Sequence, residues 1–322
     1  MIRNLFFLVA FLSLSIQLDA QQQAQYSMFM MNRYGFNPAY AGFDGSLSAT
    51  AVYRTQWDAL EGRPVNIQIN AHMPLYVFGG AIGFKLERET LGAFSNIRSA
   101  VSYNYVMDTD YGLFSGGISV GIHQSTLDGA ILRARSGVYE NNIIQHNDPV
   151  IPNTRVNGVA PTIGLGFYHI NDYFELGLAV ENVLNTKLRF TDDLEYINKR
   201  TFTAFFEYSL PVNDFLQVFP SLMLRSDLTQ TQIEAAVKLE YDDNIIGGAG
   251  FRGYNANTID ALVLFGGLRL NPNLTLAYSY DIGLSSLNQI HVGTHEILLN
   301  YNLNKLIGGG IPQKVIYNPR FL

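Results

Sequence analysis

Polar and apolar residues alternate along most of the chain with a period of two. From Val65 to Met73, Val65, Ile67, Ile69, Ala71 and Met73 fall on one face; Asn66, Gln68, Asn70 and His72 fall on the other. A strand shows this period because successive side chains point to opposite sides. From Thr231 to Tyr241 the rule repeats: Ile233, Ala235, Val237, Leu239 and Tyr241 oppose Gln232, Glu234, Lys238 and Glu240. Leu47 to Trp57, Asn96 to Tyr105, Phe114 to His123, Leu274 to Ile282 and Glu296 to Leu303 behave alike. By length and turn criteria about 14 strands are expected. Their spans are 46–57, 64–74, 80–88, 94–107, 112–124, 158–170, 172–183, 200–210, 214–226, 230–241, 244–253, 258–270, 273–283 and 294–304. Most exceed the usual strand of about 5–6 residues and suit tilted membrane strands of about 9–11 plus rims.

The connectors alternate too. Short ones rich in turn formers lie at 107–110, 171–172, 211–214, 241–244 and 271–273. Longer ones lie at 58–63, 125–157, 184–199, 226–230, 254–258 and 284–293. Short periplasmic turns and longer outer loops are the pattern of outer-membrane barrels. In hydrocarbon an unpaired strand edge is costly, so spanning strands must close on themselves. The expected fold is all-β: a transmembrane, antiparallel, up-and-down barrel over 45–304. A segment at 21–44, serving as plug or periplasmic cap, precedes it, and a periplasmic tail at 305–322 follows.

Residues 1–20 carry Arg3, an apolar run from Leu5 to Ile16, and Ala20. This reads as a secretory signal peptide, too short for a spanning helix of about 20 residues. Composition agrees with an exported barrel. Charged residues are 15%, Tyr 19, Phe 21, Gly 29 and Cys 0. The absence of cysteine excludes disulfides, thiolate metal sites and thiol catalysis. A net charge of −6 with no basic patch argues against nucleic acid.

Chemical motifs are weak. Gly117-Ile118-Ser119-Val120-Gly121 matches G-x-S-x-G, with His123 beyond it, but it sits mid-strand. A nucleophile elbow needs a strand–turn–helix setting. His291 and His295 have no H-E-x-x-H helix, and Gly247 to Gly250 precede no helix. Asp192-Asp193 and Asp242-Asp243 read as solvated turns. No catalytic residue, metal or cofactor is expected. Loop 125–157, with Arg133, Arg135 and Tyr139, is long enough to be functional. It either folds inward or caps the mouth against a partner, or stands as a mobile outer loop.

Residues 24–42 read AQYSMFMMNRYGFNPAYAG, and Tyr53-Arg54-Thr55-Gln56-Trp57 follows. The order Gln-Tyr-x-x-Phe/Met, then Asn-Pro-Ala-Tyr-Ala-Gly, then Tyr-Arg-x-Gln-Trp resembles the PorP/SprF family. So does the ending Tyr317-Asn318-Pro319-Arg320-Phe321-Leu322. The resemblance implies an outer-membrane barrel of type IX secretion and gliding. Its implied partners are secreted cargo with a C-terminal sorting domain, a periplasmic peptidoglycan-associated protein, and outer-membrane lipid. The rival role is a small-molecule porin.

Within those motifs, Asn37 before Pro38 is pushed out of the helical region. Ala39, Ala41 and Gly42 permit close backbone approach, and the stretch that holds them with Tyr40 is either a docking element or a turn into the first strand. Tyr53 and Trp57 lie on one face of that strand. Arg54 and Gln56 lie on the inward one, where Arg54 is expected to pair with Glu234, Glu240 or Asp281, or else to contact cargo.

Overall fold

The computed structural model describes residues 24–75, 79–139, 144–148, 150–254, 258–284 and 292–305. The expected signal peptide at 1–20, residues 306–322 of the expected tail and His291 lie outside them. Among the described residues the wall has 14 antiparallel strands. The first seven are β1 Ser48–Thr55, β2 Val65–Leu75, β3 Gly80–Leu91, β4 Phe94–Thr109, β5 Gly112–Asp128, β6 Arg155–Ile170 and β7 Phe174–Glu181. The rest are β8 Thr201–Tyr208, β9 Leu216–Ser226, β10 Thr231–Tyr241, β11 Ile245–Tyr254, β12 Thr258–Asn271, β13 Leu274–Gly283 and β14 Thr294–Asn302. Each pairs with its sequence neighbours, and β14 returns to β1 from Ser48↔Asn302 to Thr55↔His295. The ring therefore closes with no free edge, as lipid requires.

The period-two pattern sorts the two faces as expected. On β2, Ile69 is 47% exposed while its neighbour Asn70 is 0% exposed. Expected and observed strand ends agree within a few residues. One difference matters: β1 stops at Thr55, so Gln56 and Trp57 leave the wall. The Gln56 N–H donates to the Pro64 carbonyl, and Trp57 adopts φ 54. The Trp57 N–H donates to Thr294 Oγ1 at 3.1 Å. These bonds start the β1–β2 loop, which alternation alone does not signal.

A barrel of 14 strands is too wide for wall side chains to fill. The segment from Ala24 onward occupies the space. It begins in the half of the lumen nearest the longer loops and runs to the short-turn end, where β1 starts. It forms three short 3-10 turns, Phe29–Met31, Arg33–Gly35 and Pro38–Tyr40. The apolar core is the contact between this segment and the wall: Met28, Phe29, Met30 and Phe36 pack with Phe205, Met223 and Leu298. Phe205 sits 5.4 Å from Phe36 and 6.1 Å from Phe29, ring centre to ring centre.

Two wall glycines make the approach possible. A Cβ on Gly83 would lie 2.2 Å from the Tyr34 hydroxyl, and one on Gly117 would lie 2.7 Å from the Ala39 nitrogen. The G-x-S-x-G match is thus a seat for backbone.

The wall's sidedness gives a direct test. Val120, mid-strand on β5 and exposed to lipid, changed to Arg is expected to cost about 2–4 kcal/mol of folding stability in vesicles. Denaturant titration of the refolded protein measures this. A loss near zero would mean that this face does not meet hydrocarbon.

Candidate functional site

The lumen's outer half holds a buried ion cluster around Ser27. Arg54 donates to Asp281 Oδ2 at 2.8 Å and to Glu296 Oε2 at 3.0 Å. Arg252 donates to Asp281 at 3.0 Å and to Glu234 at 3.0 Å. All five charged groups are almost fully buried. Ser27 joins the two guanidiniums: its Oγ accepts from Arg54 at 2.6 Å and from Arg252 at 3.0 Å, and donates to Asp281 at 2.7 Å. The Ser27 and Met28 N–H groups donate to Glu296 at 2.7 and 3.0 Å. Of the carboxylates expected for Arg54, Asp281 is correct. Glu234 belongs to Arg252, and Glu240 belongs to Lys238 at 2.7 Å. Glu296 takes the remaining place, directly opposite Arg54 in the β1–β14 register.

Further in, Arg33 bonds Glu175 at 2.7 Å and also pairs with Glu207. Lys85 bonds Glu181 at 2.7 Å and the Gly35 carbonyl at 3.1 Å. The Asn-Pro-Ala-Tyr-Ala-Gly stretch is seated atom by atom. Asn37 Nδ2 donates to the Phe167 and Leu178 carbonyls at 3.0 and 3.1 Å, and its Oδ1 accepts the Ala39 N–H at 3.0 Å. Asn37 caps the turn that Pro38 opens. Asn104 on β4 donates to the Ala39 and Ala41 carbonyls at 2.7 and 2.8 Å. Tyr40 lies under the Arg33 guanidinium at 5.8 Å and donates to Asp44 at 2.9 Å. Gly42 has φ 81, which favours glycine, and its N–H donates to His72 Nδ1 at 3.1 Å.

The segment divides the lumen unequally. Toward the longer loops remain pockets of about 30 and 40 Å³, which share Arg98 and Arg225. Each has room for one or two waters. Toward the short turns lies a vestibule of about 1480 Å³. Met31, Arg33 and Tyr34 form its floor, Ser48, Thr50 and Asn300 its wall, and Asp108 to Gly112 part of its rim.

The family model described as type IX secretion system membrane protein PorP/SprF matches residues 18–301. The chain belongs to the PorP/SprF family. Among curated proteins no sequence matches it. Among solved structures, the outer membrane protein Omp33 of Acinetobacter baumannii is 8% identical with a TM-score of 0.48. That alignment covers 80% of this chain and 98% of Omp33. A TodX monoaromatic hydrocarbon channel mutant is 11% identical with a TM-score of 0.45, covering 79% of this chain and 87% of TodX. A mutant porin of Rh. blastica is 12% identical with a TM-score of 0.36, covering 80% and 99%. The PorP/SprF chain is an outer-membrane β-barrel.

The remaining expected residues are scattered over this PorP/SprF barrel. Tyr53 faces lipid. In the outer loop, the Arg133 guanidinium lies 4.7 Å from the Tyr139 ring centre and donates to the Ala130 and Leu132 carbonyls. Tyr139 bonds His146 Nδ1 at 2.9 Å, and His146 Nε2 bonds the Gly129 carbonyl at 2.9 Å. This loop packs on itself and leaves Arg135 exposed.

The segment that turns inward is 182–200. Its hairpin pairs Lys187–Arg189 with Glu195–Ile197 and buries Leu188 completely, against Gly158 of β6. Tyr196 and Asn198 line the 30 Å³ pocket beside Arg98. Asp192 and Asp193 form a solvated turn as expected, and that turn is the tip of the hairpin. His123 is buried on β5, about 13 Å along the strand from Ser119 at 3.3 Å per residue, too far for an acid–base pair. Among the described residues no three His, Asp or Glu side chains group as a metal site.

The ion cluster predicts a graded response. Arg54→Ala leaves Asp281 and Glu296 short of a cation and is expected to cost about 3–5 kcal/mol. Ser27→Ala removes only hydrogen bonds to charged groups and is expected to cost about 1.5–3 kcal/mol. Urea unfolding in vesicles, followed by Trp57 fluorescence, reads both. Equal losses would show that the guanidinium holds no more than the hydroxyl does.

Proposed function

We propose that this PorP/SprF barrel is a non-enzymatic anchoring component of type IX secretion. In this reading it receives secreted cargo through a C-terminal sorting domain at the outer face and contacts a peptidoglycan-associated protein at the periplasmic face. Residues 1–20 act as a cleaved signal peptide, 21–44 as the lumenal segment and 305–322 as a periplasmic tail. The observation that supports binding over free diffusion is the filled lumen. Ala24 to Gly45 thread it, and the outer pockets of about 30 and 40 Å³ beside them each have room for one or two waters. The self-packed loop with Arg133, Arg135 and Tyr139, and the inward hairpin at 187–197, are the surfaces offered to cargo. Asn37, Pro38, Tyr40 and Gly42 hold the lumenal segment, and Arg54 locks its outer end, so these residues position the binding faces. The porin reading draws support from the polar, 1480 Å³ vestibule.

Conductance separates the two. In planar bilayers the full chain is expected to be silent; steady large openings would move the assignment to a porin. Mild-detergent pull-down of the tagged protein from its native outer membrane is expected to bring down a large protein with a C-terminal sorting domain or a periplasmic peptidoglycan-binding protein. The anchoring reading fails if deletion leaves every surface protein with a sorting domain at its normal level.

A further inference from the structure

The vestibule at the short-turn end belongs to no part of the ion cluster or the outer loops. At about 1480 Å³ it exceeds the usual small-molecule pocket of about 300–1,000 Å³. It opens toward the periplasm by the usual placement of short turns. Its hydrogen-bonding groups are unevenly spent. Asn300 Nδ2 donates to Thr50 Oγ1 at 2.9 Å, Asn273 Nδ2 donates to the Asn302 carbonyl at 2.7 Å, and Asn304 Nδ2 donates to the Pro272 carbonyl. The side-chain oxygens of Asn273, Asn300 and Asn304 accept no bond from the described residues. These three asparagines still offer acceptors to the cavity.

The rim carries the same bias. Asp108, Asp110 and Asp172 are exposed there and form no ion pair with the described residues. Of the lining cations, Arg33 is already held by Glu175 and Glu207, and Arg269 stands near Glu240. Tyr111 and Tyr173 project from the same two turns, 81% and 64% exposed, yet both line the cavity. Aromatic side chains over an acidic, acceptor-rich hollow suit a cationic guest, through ring–cation contact and charge.

We propose that the vestibule is the socket for a lysine- or arginine-bearing extended segment of the periplasmic partner. This rests on the reading that such a partner docks at this face. The volume admits several residues of chain, the carboxylates take its side chains, and the asparagine oxygens take its backbone N–H groups. The lumenal segment is the floor on which the guest stops.

The test uses the full chain in detergent and a fluorescent octalysine peptide, with octaglutamate as the counter-probe. Octalysine is expected to bind at low salt and to weaken as salt rises. It is expected to shield a maleimide-reactive Thr275→Cys in the wall. Asp108→Asn, Asp110→Asn and Asp172→Asn together are expected to lower its affinity about tenfold, the sum of three exposed charge contacts. Asp242→Asn with Asp243→Asn, on a turn outside the cavity, is expected to leave it unchanged. These exposed Asp→Asn changes keep shape and leave the lumen intact, so folding is not at issue. Equal binding of octaglutamate, no loss in the triple variant, or binding without shielding of residue 275 overturns the proposal. Pull-down from native membranes separates this failure from failure of the functional reading. If a periplasmic partner elutes equally with wild type and triple variant, the socket is wrong and the anchoring role stands. If none elutes with wild type, the anchoring role is what falls.

Discussion

Hydrocarbon offers no hydrogen-bond partner, and that one constraint shapes this chain from Ser48 to Asn302. Every N–H and C=O in the wall must find its mate in another strand. The β1–β14 register supplies the last mates and removes both edges. Once the strands are closed, alternation does two jobs. Apolar side chains such as Ile69 and Val120 meet lipid, and their neighbours such as Asn70 and Ser119 are turned inward. A ring this wide cannot be filled by those inward side chains, so closure creates an interior that must hold water or other chain. The threading of Ala24 to Gly45 follows from geometry set by lipid.

The interior then faces an electrostatic demand. Arg54, Arg252, Asp281, Glu234 and Glu296 are removed from water, and their pairing roughly offsets that loss without adding much stability of its own. Their value lies in specificity. The hydroxyl and two backbone N–H groups at Ser27 and Met28 complete the coordination of Asp281 and Glu296, so the cluster accepts the segment in one register. Glycines at 83 and 117 work at the other end of the same fit, where any Cβ would collide with Tyr34 or Ala39. Charge fixes one end and absence of side chain admits the other.

Much of this was legible in the sequence. A period of two needs only residue order, so strand number, faces and approximate ends could be read directly. Arg54 could be placed inward and given Glu234, Glu240 or Asp281 as alternatives from polarity alone, and the wall pairing selects Asp281. Glu296 could not be chosen, because the β1–β14 pairing joins residues 242 apart and its register depends on closure. Gln56 and Trp57 continue the alternating pattern on paper, yet a left-handed backbone at Trp57 ends the strand. The 187–197 hairpin was hidden because a loop's inward turn depends on what lies beneath it. Here that is Gly158, which leaves room for Leu188. The PorP/SprF motifs at 25–57 marked the family; their physical role as a lumenal seat depends on contacts between segment and wall that join residues far apart in sequence.

The two ends of the lumen differ for a related reason. Outward, Arg98 and Arg225 have the segment on one side and the hairpin on the other, and little space remains. Inward, the same segment packs on β4, β5 and β6 through Asn37, Ala39 and Tyr40 before it crosses to β1 at Ser48. The side lined by Arg269 of β12, Thr275 of β13 and Asn300 of β14 is left uncovered. That asymmetry comes from connectivity: a chain entering the wall at the periplasmic rim can block the outer half of its lumen but must leave part of the inner half open. Among the described residues the outer half of the lumen is therefore narrow and the inner half hollow.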